Sequence, residues 1–234
     1  MNQKKQQQSG ANFLTNLLFN IIAPTMILTK LSTPDKLGVL NGLLLALAFP
    51  LAYGSYDLIK NKEWNYISIL GLVSVLLTGG FSLMKLDGIW FAIKEAAIPL
   101  LIGISVLLLN KTKYDLVRTM IFNPNVFNID LIHQKIDETN TTDKFEQLIS
   151  KTTYIFSSSF FLSATLNFFL AVVILKSPTG TPEFNAELGK MTALSFPVIM
   201  LPSMVVLMAS IFYLTKGITS ITGLKFQEMI NEPS

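Results

Sequence analysis

The chain has 234 residues, of which 50% are hydrophobic and only 14% are charged, against about 25% charged residues in an ordinary soluble domain. This balance and a mean hydropathy of +0.50 exclude a disordered chain and argue against a soluble globular one. The chain has no cysteine, which excludes disulfides and thiolate zinc sites, while a single histidine and a net charge of +3 indicate neither a histidine metal cluster nor a nucleic-acid-binding protein.

Six apolar stretches approach the length of about 20 residues that a membrane-spanning helix needs. Because bare backbone groups cannot stay unpaired in lipid, we expect helices, and the alternating segments of a membrane β-barrel are not found. The sequence therefore predicts an all-α fold, a single membrane domain of about six transmembrane helices over residues 1–234. In chain order the predicted spans cover residues 12–29, 38–59, 64–84, 88–109, 153–175 and 191–215.

The first stretch has two interpretations. Asn12, Asn16 and Asn20 recur every four residues and form one polar stripe on a helix, and Pro24 interrupts its hydrogen-bond ladder. A spanning helix would turn this stripe into the bundle, whereas a short interfacial helix would leave five true spans. We favour the span because the loop charges agree with it. A cleaved secretory signal is disfavoured because no small-residue cleavage site closes the stretch.

Lysine and arginine are distributed unevenly over the loops. With six spans and both termini in the cytoplasm, twelve of the 18 cations fall on the cytoplasmic side, five on the opposite side, and Lys94 within the membrane. Since cytoplasmic loops carry an excess of these residues, the bias predicts this orientation. It also predicts that the long polar segment 110–151 is cytoplasmic.

The segment 110–151 is predicted to contain short amphipathic helices. Their apolar faces predict helices that lie on the cytoplasmic membrane surface, and an arm that docks a protein partner is the alternative. The residues of the two faces are Ile129, Ile132 and Ile136 in the first, and Phe145, Leu148 and Ile149 in the second.

Two charges, Lys94 and Glu95, lie inside the apolar fourth stretch. Adjacent residues on a helix point about 100° apart, so we expect no direct pair between them. Lys94 is predicted to snorkel toward the surface, where Asp87 lies on the same face. Glu95 is predicted to be protonated or paired across the bundle, either as a structural carboxylate or as a carrier of a proton or cation. Its candidate partners complete a predicted intramembrane polar site and are Lys85, Asn20, Asn41 and Asn167.

Small residues follow one another at helical spacing in the third stretch. Such residues let neighbouring helices approach closely, so this face is predicted to pack against another helix. A helix break at the glycine pair is the alternative. The residues are Gly71, Ser74, Thr78, Gly79 and Gly80.

Four of the six stretches contain proline. Interior proline frees a backbone carbonyl and bends the helix, a device of transporter binding sites that also occurs in inert bundles. The motifs of nucleotide-binding, metalloprotease, serine-hydrolase and dinucleotide-binding proteins are absent, which argues against an enzyme and predicts no cofactor and no metal. The prolines are Pro24, Pro50, Pro99, Pro197 and Pro202.

The stretch from Phe49 to Leu109, above all SVLLTGGFSLMKLDGIWFAIKEAAIPLLIGISVLL, resembles the VC0807-type bacterial membrane proteins, distant relatives of the intracellular septation protein A family. In these proteins a hydrophobic stretch with a Gly-Gly pair precedes a short polar joint and a lysine-bearing helix. The corresponding residues are Gly79–Gly80, Lys85–Asp87 and Lys94. The resemblance implies a multi-pass inner-membrane protein of Gram-negative bacteria, linked to envelope integrity and septation, without an agreed biochemical activity.

Two functions follow as expectations. The first is a non-enzymatic membrane protein of envelope maintenance that acts through contacts with the lipid bilayer, membrane-protein partners or a second copy of itself. The alternative is a small proton- or ion-coupled transporter or channel that uses Glu95 and Lys94. A lipid-modifying enzyme would need a cluster of acids or histidines, which the sequence lacks.

Overall fold

The computed structural model describes residues 18–61, 66–124 and 126–231. In these ranges the regular structure is helical, apart from one isolated antiparallel bridge between Phe127 and Ile230. The predicted all-α fold class is therefore confirmed. In chain order the helices are α1 (residues 18–31), α2 (Gly38–Asn61), α3 (Tyr66–Leu83), α4 (Gly88–Leu108), α5 (Ile129–Glu138), α6 (Thr142–Ile174), α7 (Pro182–Ser195), α8 (Leu201–Thr222) and α9 (Phe226–Met229).

Among the described residues, three helices are long and apolar enough to cross a membrane. They are α4, α6 and the continuous helix Pro182–Thr222, of which α7 and α8 are the two parts. Only 28% of the apolar window of α4 and 22% of the other two windows are buried, so most of each surface is left for lipid or a partner. These helices indicate a membrane protein. The stretch Gly38–Ala52 of α2 is apolar but shorter.

Helix α1 and the helix Pro182–Thr222 share a departure from α-helical winding. In α1 the turn Ala23–Met26 is flanked by π-helical turns at Leu18–Ile22 and Ile27–Leu31, and the turn Phe196–Met200 joins α7 to α8. Pro24 and Pro197 lie in or beside these turns. Because proline lacks the N–H that its i−4 carbonyl needs, a wider i→i+5 turn offers that carbonyl the next donor. The prolines therefore favour local π-helical turns in these helices but do not end the helices.

The structure divides into two compact units, which are described separately. The first comprises Met1–Ile98 and Thr165–Ile199, and the second comprises Pro99–Ala164 and Met200–Ser234. The three long apolar helices contribute residues to both units.

The core of the first unit is built around aromatic rings. Phe91 of α4 is fully buried, and its ring meets Phe81 of α3 at 5.8 Å and Phe184 of α7 at 5.1 Å in edge-to-face geometry. Such pairs stabilise a core beyond the area they bury. They hold α4 against α3 and α7 close to Lys94 and Glu95, because these two residues lie one turn from Phe91.

The second unit contains the segment that was predicted to lie on the membrane surface. Ile132 and Ile136 of α5 are 0% and 2% exposed, and Phe145 and Ile149 at the start of α6 are 2% and 1% exposed. They share one core with residues of α8 and α9. The prediction that these faces lie against the membrane is wrong, because the two faces and the end of α8 cover one another.

The bounds of α6 also differ from the predicted segment. The helix begins at Thr142 and continues without a break to Ile174. The polar segment 110–151 therefore includes the first turns of a long helix, and the fifth apolar stretch begins inside that helix.

Two close approaches in the first unit require glycine. A Cβ added to Gly42 would lie 2.2 Å from the Ser32 Oγ and 2.8 Å from the Ser32 Cα. A Cβ on Gly189 would lie 2.9 Å from the Thr29 Cγ2. These glycines bring α2 and α7 against α1 and its following turn, as small residues do between membrane helices.

The contact at Gly42 gives a stability prediction. Gly42→Ala should lower the free energy of unfolding by about 1–3 kcal/mol, because backbone atoms of Ser32 leave no room for the methyl group. Gly80→Ala is the matched control, since nothing lies within 4 Å of its added methyl and alanine favours a helix by up to about 1 kcal/mol. Thermal unfolding of both variants in detergent measures the difference. Equal midpoints would contradict the packing of α2 on Ser32.

Candidate functional site

The polar centre of the first unit is an ion pair between neighbouring residues of α4. The Lys94 Nζ lies 2.7 Å from the Glu95 Oε1 and donates a hydrogen bond of 2.6 Å to the Thr78 Oγ1 of α3. The Lys94 side chain is 3% exposed and the Glu95 side chain is 26% exposed. The ammonium is thus held inside the protein, while its carboxylate partner remains accessible.

Two sequence-based expectations about this pair are wrong. Lys94 does not snorkel to the surface, because its side chain is buried. The two residues do pair, although their Cα–Cβ bonds point in different directions. The spacing argument failed because both side chains are long and flexible enough to curl toward each other. The cation that pairs with Glu95, Lys94, therefore lies on the same helix.

Glu95 lines a cavity of about 180 Å³ in the first unit. Five helices contribute to its wall, including the proline-containing turns of α1 and α2. The described part of its lining is apolar except for Glu95 and two threonines, and the carboxylate is the charged group among these residues. The lining residues are Pro24, Leu28, Ala46, Leu47, Pro50, Thr78, Glu95, Leu188, Met191 and Thr192.

Thr78 is positioned by close packing of α2 on α3. Its neighbour Gly79 is buried, and a Cβ there would lie 3.1 Å from the Leu47 Cδ1. The predicted packing at Gly79 is found, whereas Gly80 has open space around it. The structure thus gives Thr78 a polar role, as the acceptor for Lys94, in addition to the packing role that its spacing predicted.

Three of the other predicted polar residues lie at exposed positions outside this centre. Lys85 and Asp87 are exposed in the joint between α3 and α4, and Asn41 is exposed on α2. Asn167 is half-buried on α6 and is not among the residues that line the cavity. Asn20 belongs to α1, and Gly71 and Ser74 belong to α3. The surroundings of these three residues lie outside what the structure describes.

Sequence reasoning missed two contributors to the site. Thr192 of α7 lines the cavity, and Gly189 one turn earlier brings α7 against α1. Gly189 lies three residues before Thr192, a spacing of small residues that indicates close packing of helices. That signal was present in α7, but the preceding acidic residues Glu183 and Glu187 made the stretch look like a loop.

The arrangement suits exchange of a proton or a small cation at one carboxylate. A buried ammonium needs a compensating negative charge in an apolar interior, and Glu95 supplies it. The same carboxylate can be reached from the cavity, so its protonation would change the balance of charge at Lys94. In residues 18–61, 66–124 and 126–231, no group of three or more aspartate, glutamate or histidine side chains could hold a metal ion.

Comparisons with known protein families, curated proteins and solved structures find no match for this chain.

The ion pair gives an asymmetric stability prediction. Glu95→Leu should destabilise the fold by about 3 kcal/mol or more, because it removes the carboxylate that pairs with a buried ammonium. Lys94→Met should cost less, since the remaining carboxylate is partly exposed. The double variant should recover most of the loss, because an apolar pair can replace a buried ion pair. Unfolding in detergent of all four proteins measures the coupling.

The pair Lys135–Glu138 of α5 is the matched control for this cycle. Its atoms are also close, at 2.6 Å, but the side chains are 37% and 46% exposed. Water screens such a pair, so the same cycle there should give no measurable coupling. An equally small coupling at Lys94 and Glu95 would argue against a buried charge centre.

Proposed function

We propose that this chain is a non-enzymatic membrane protein that carries a proton, alone or with a small solute, through its first unit. The observation that supports it is the paired but accessible Glu95, which lines a cavity at proline-containing helices. Ionisable side chains inside a membrane segment are costly and commonly mark ion or proton paths. Interrupted regular winding next to a binding site is a recurring feature of transporters, and α1 departs from regular winding on both sides of Ala23–Met26, the turn that contains Pro24.

The ion pair offers a way to couple a proton to a change of conformation. While Glu95 is ionised, it compensates the ammonium of Lys94. A proton that arrives from the cavity would remove the negative charge of this partner, whereas the hydrogen bond from Lys94 to the hydroxyl of Thr78 does not depend on it. Loss of that negative charge makes the buried ammonium less favourable, so the protonated protein would shift toward an arrangement in which Lys94 meets water or an anion.

The charges of the loops indicate how the chain crosses the membrane. We infer six spans in a bacterial inner membrane, with both termini in the cytoplasm, from the excess of lysine and arginine in the loops assigned to that side. The first of these spans is predicted over residues 12–29, and its first residues lie outside the described structure.

The natural absence of cysteine allows a direct test of this topology. Lys36→Cys and Lys176→Cys should react in intact cells with a maleimide that cannot cross the membrane, whereas Lys113→Cys should react only after permeabilisation. All three side chains are exposed, so accessibility does not limit the reaction. Labelling of Lys113→Cys in intact cells would contradict cytoplasmic termini with six spans.

A role in envelope maintenance or septation is the second candidate. The large unburied surface of the three candidate spans favours it, because such a surface suits contacts with lipid or with membrane-protein partners. The resemblance of residues 49–109 to the septation-related proteins points the same way. In this role the Lys94–Glu95 pair, through the hydrogen bond from Lys94 to Thr78, would hold α4 against α3 and need not carry a proton.

Proton flux distinguishes the two functions. In proteoliposomes with an imposed pH gradient and a trapped pH-sensitive dye, the wild-type chain should dissipate the gradient faster than empty vesicles. Glu95→Gln should reduce this rate about tenfold or more, because the amide cannot take up the proton. Internal dye fluorescence measures the rate.

Glu183→Gln is the control for this experiment. Glu183 is an exposed acid at the start of α7 and does not line the cavity. Its loss should leave the flux unchanged. Equal rates for wild type and Glu95→Gln, or no flux in either, would contradict proton carriage and favour the envelope role. In that case Glu95→Gln should still complement a deletion strain, whereas Gly79→Leu should not, because it disturbs the contact with Leu47.

A further inference from the structure

A second cavity, of about 270 Å³, lies in the first unit at the joint between α3 and α4. Its apolar wall comes from Val39, Leu40 and Leu43 of α2 with Leu83 of α3. Its polar wall comes from Ser82, Lys85 and Asn185. The size is slightly below the roughly 300–1,000 Å³ of sites for drug-sized ligands, so it suits part of an elongated molecule.

Lys85 occupies a backbone position that normally belongs to glycine. Helix α3 ends in a Schellman motif, in which the Leu86 N–H donates to the Phe81 carbonyl at 3.0 Å and the Lys85 N–H donates to the Ser82 carbonyl at 3.2 Å. Lys85 has a φ of 54°, in the left-handed region that disfavours side chains. A strained residue is a pointer to function when its side chain lines a cavity, as that of Lys85 does.

Ser82 gives an independent indication that this cavity can bind a polar group. It is 6% exposed and lines the same cavity, yet its hydroxyl oxygen has no hydrogen-bond partner among the described residues. An unsatisfied buried hydroxyl is unfavourable, and most such groups in native proteins find a partner. The free hydroxyl and the Lys85 ammonium line one cavity, so both can bind the same polar group.

Asn185 and Gly180 complete the lining of this cavity. Asn185 is 1% exposed and donates a hydrogen bond of 2.8 Å to the Val39 carbonyl, which ties α7 to the start of α2. Gly180, with a φ of 83°, lies beside the aliphatic stem of Lys85, and a Cβ on it would lie 3.8 Å from the Lys85 Cε. The described lining contains one cation and no acid, so its charge is positive.

We propose that this cavity binds an amphiphile whose anionic group meets Lys85 and Ser82 and whose acyl chain lies along the leucines of α2. A phosphate or carboxylate accepts hydrogen bonds from both an ammonium and a hydroxyl, and charge-assisted bonds of this kind are the stronger ones. The apolar wall takes the chain through the hydrophobic effect. The anionic phospholipid of the surrounding bilayer or a free fatty acid could supply this chemistry. The site is separate from the Glu95 cavity and does not depend on proton carriage.

Native mass spectrometry of the full chain in detergent tests the proposal. The probes are phosphatidylglycerol, uncharged diacylglycerol, palmitate and inorganic phosphate. The wild type should bind phosphatidylglycerol at least about tenfold more tightly than diacylglycerol, since an ionic hydrogen bond is worth about that factor. Palmitate binding without phosphatidylglycerol binding would assign the site to a free acid. Both results support an anionic amphiphile, whereas equal affinity for diacylglycerol, or for chain-free phosphate, would overturn it.

Variants separate the ligand role of Lys85 from its structural role. Lys85→Gly and Lys85→Asn remove the ammonium but tolerate the left-handed backbone, so both should fold at least as well as wild type and bind the anionic probe about tenfold more weakly. Ser82→Ala should weaken binding less and not destabilise the fold. Lys111→Gly is the matched control, because Lys111 has a φ of 63° and lies outside the cavity. Wild-type binding by both Lys85 variants, or equal loss in Lys111→Gly, would overturn the proposal.

Discussion

The buried ammonium of Lys94 is the interaction on which the polar centre of the first unit depends. Lys94 is 3% exposed in a unit whose other described buried residues are mostly apolar, and such a charge is tolerated only beside a counter-charge and hydrogen-bond acceptors. Glu95 supplies the charge and Thr78 supplies an acceptor from a different helix. The hydrogen bond from Lys94 to Thr78 therefore requires α3 and α4 to lie close together at these residues. Gly79, one residue from Thr78, permits the approach of α2 as well.

The cavity beside this pair follows from the way the neighbouring helices are wound. Pro24 and Pro50 lie in its wall, and π-helical turns surround Pro24. Proline cannot complete the regular hydrogen-bond ladder, so the helix widens or bends, and tight packing is lost where it does. Glycines at positions 42 and 189 restore close contact on either side. The first unit thus combines firm helix contacts with a gap at its polar centre, an arrangement compatible with the proposed carriage of a proton or small solute.

The second unit is stabilised mainly by packing between apolar helix faces. Its helix α5 and the start of α6 have one apolar face each, and these faces cover one another together with the end of α8 and Met229. Asp115, 1% exposed, accepts a hydrogen bond of 2.9 Å from the Val117 N–H and orders the turn that follows α4. The C-terminal segment is fastened there too, because the Asn128 N–H donates to the Met229 carbonyl at 2.8 Å. This unit is held together by protein contacts of the kind found in soluble helical domains.

The sequence by itself determined the helical fold class, the long apolar stretches that became α4, α6 and the helix Pro182–Thr222, and the presence of Lys94 and Glu95 inside one of them. These features are local: they depend on composition, on period and on the length of an apolar run. Only the tertiary structure decided that Lys94 meets Glu95 and Thr78, that Ile132 faces Phe145 rather than lipid, and that Lys85 shares a cavity with Ser82. The reason is that spacing along a helix tells which residues share a face, whereas the partner of that face depends on side-chain conformation and on segments far away in the chain.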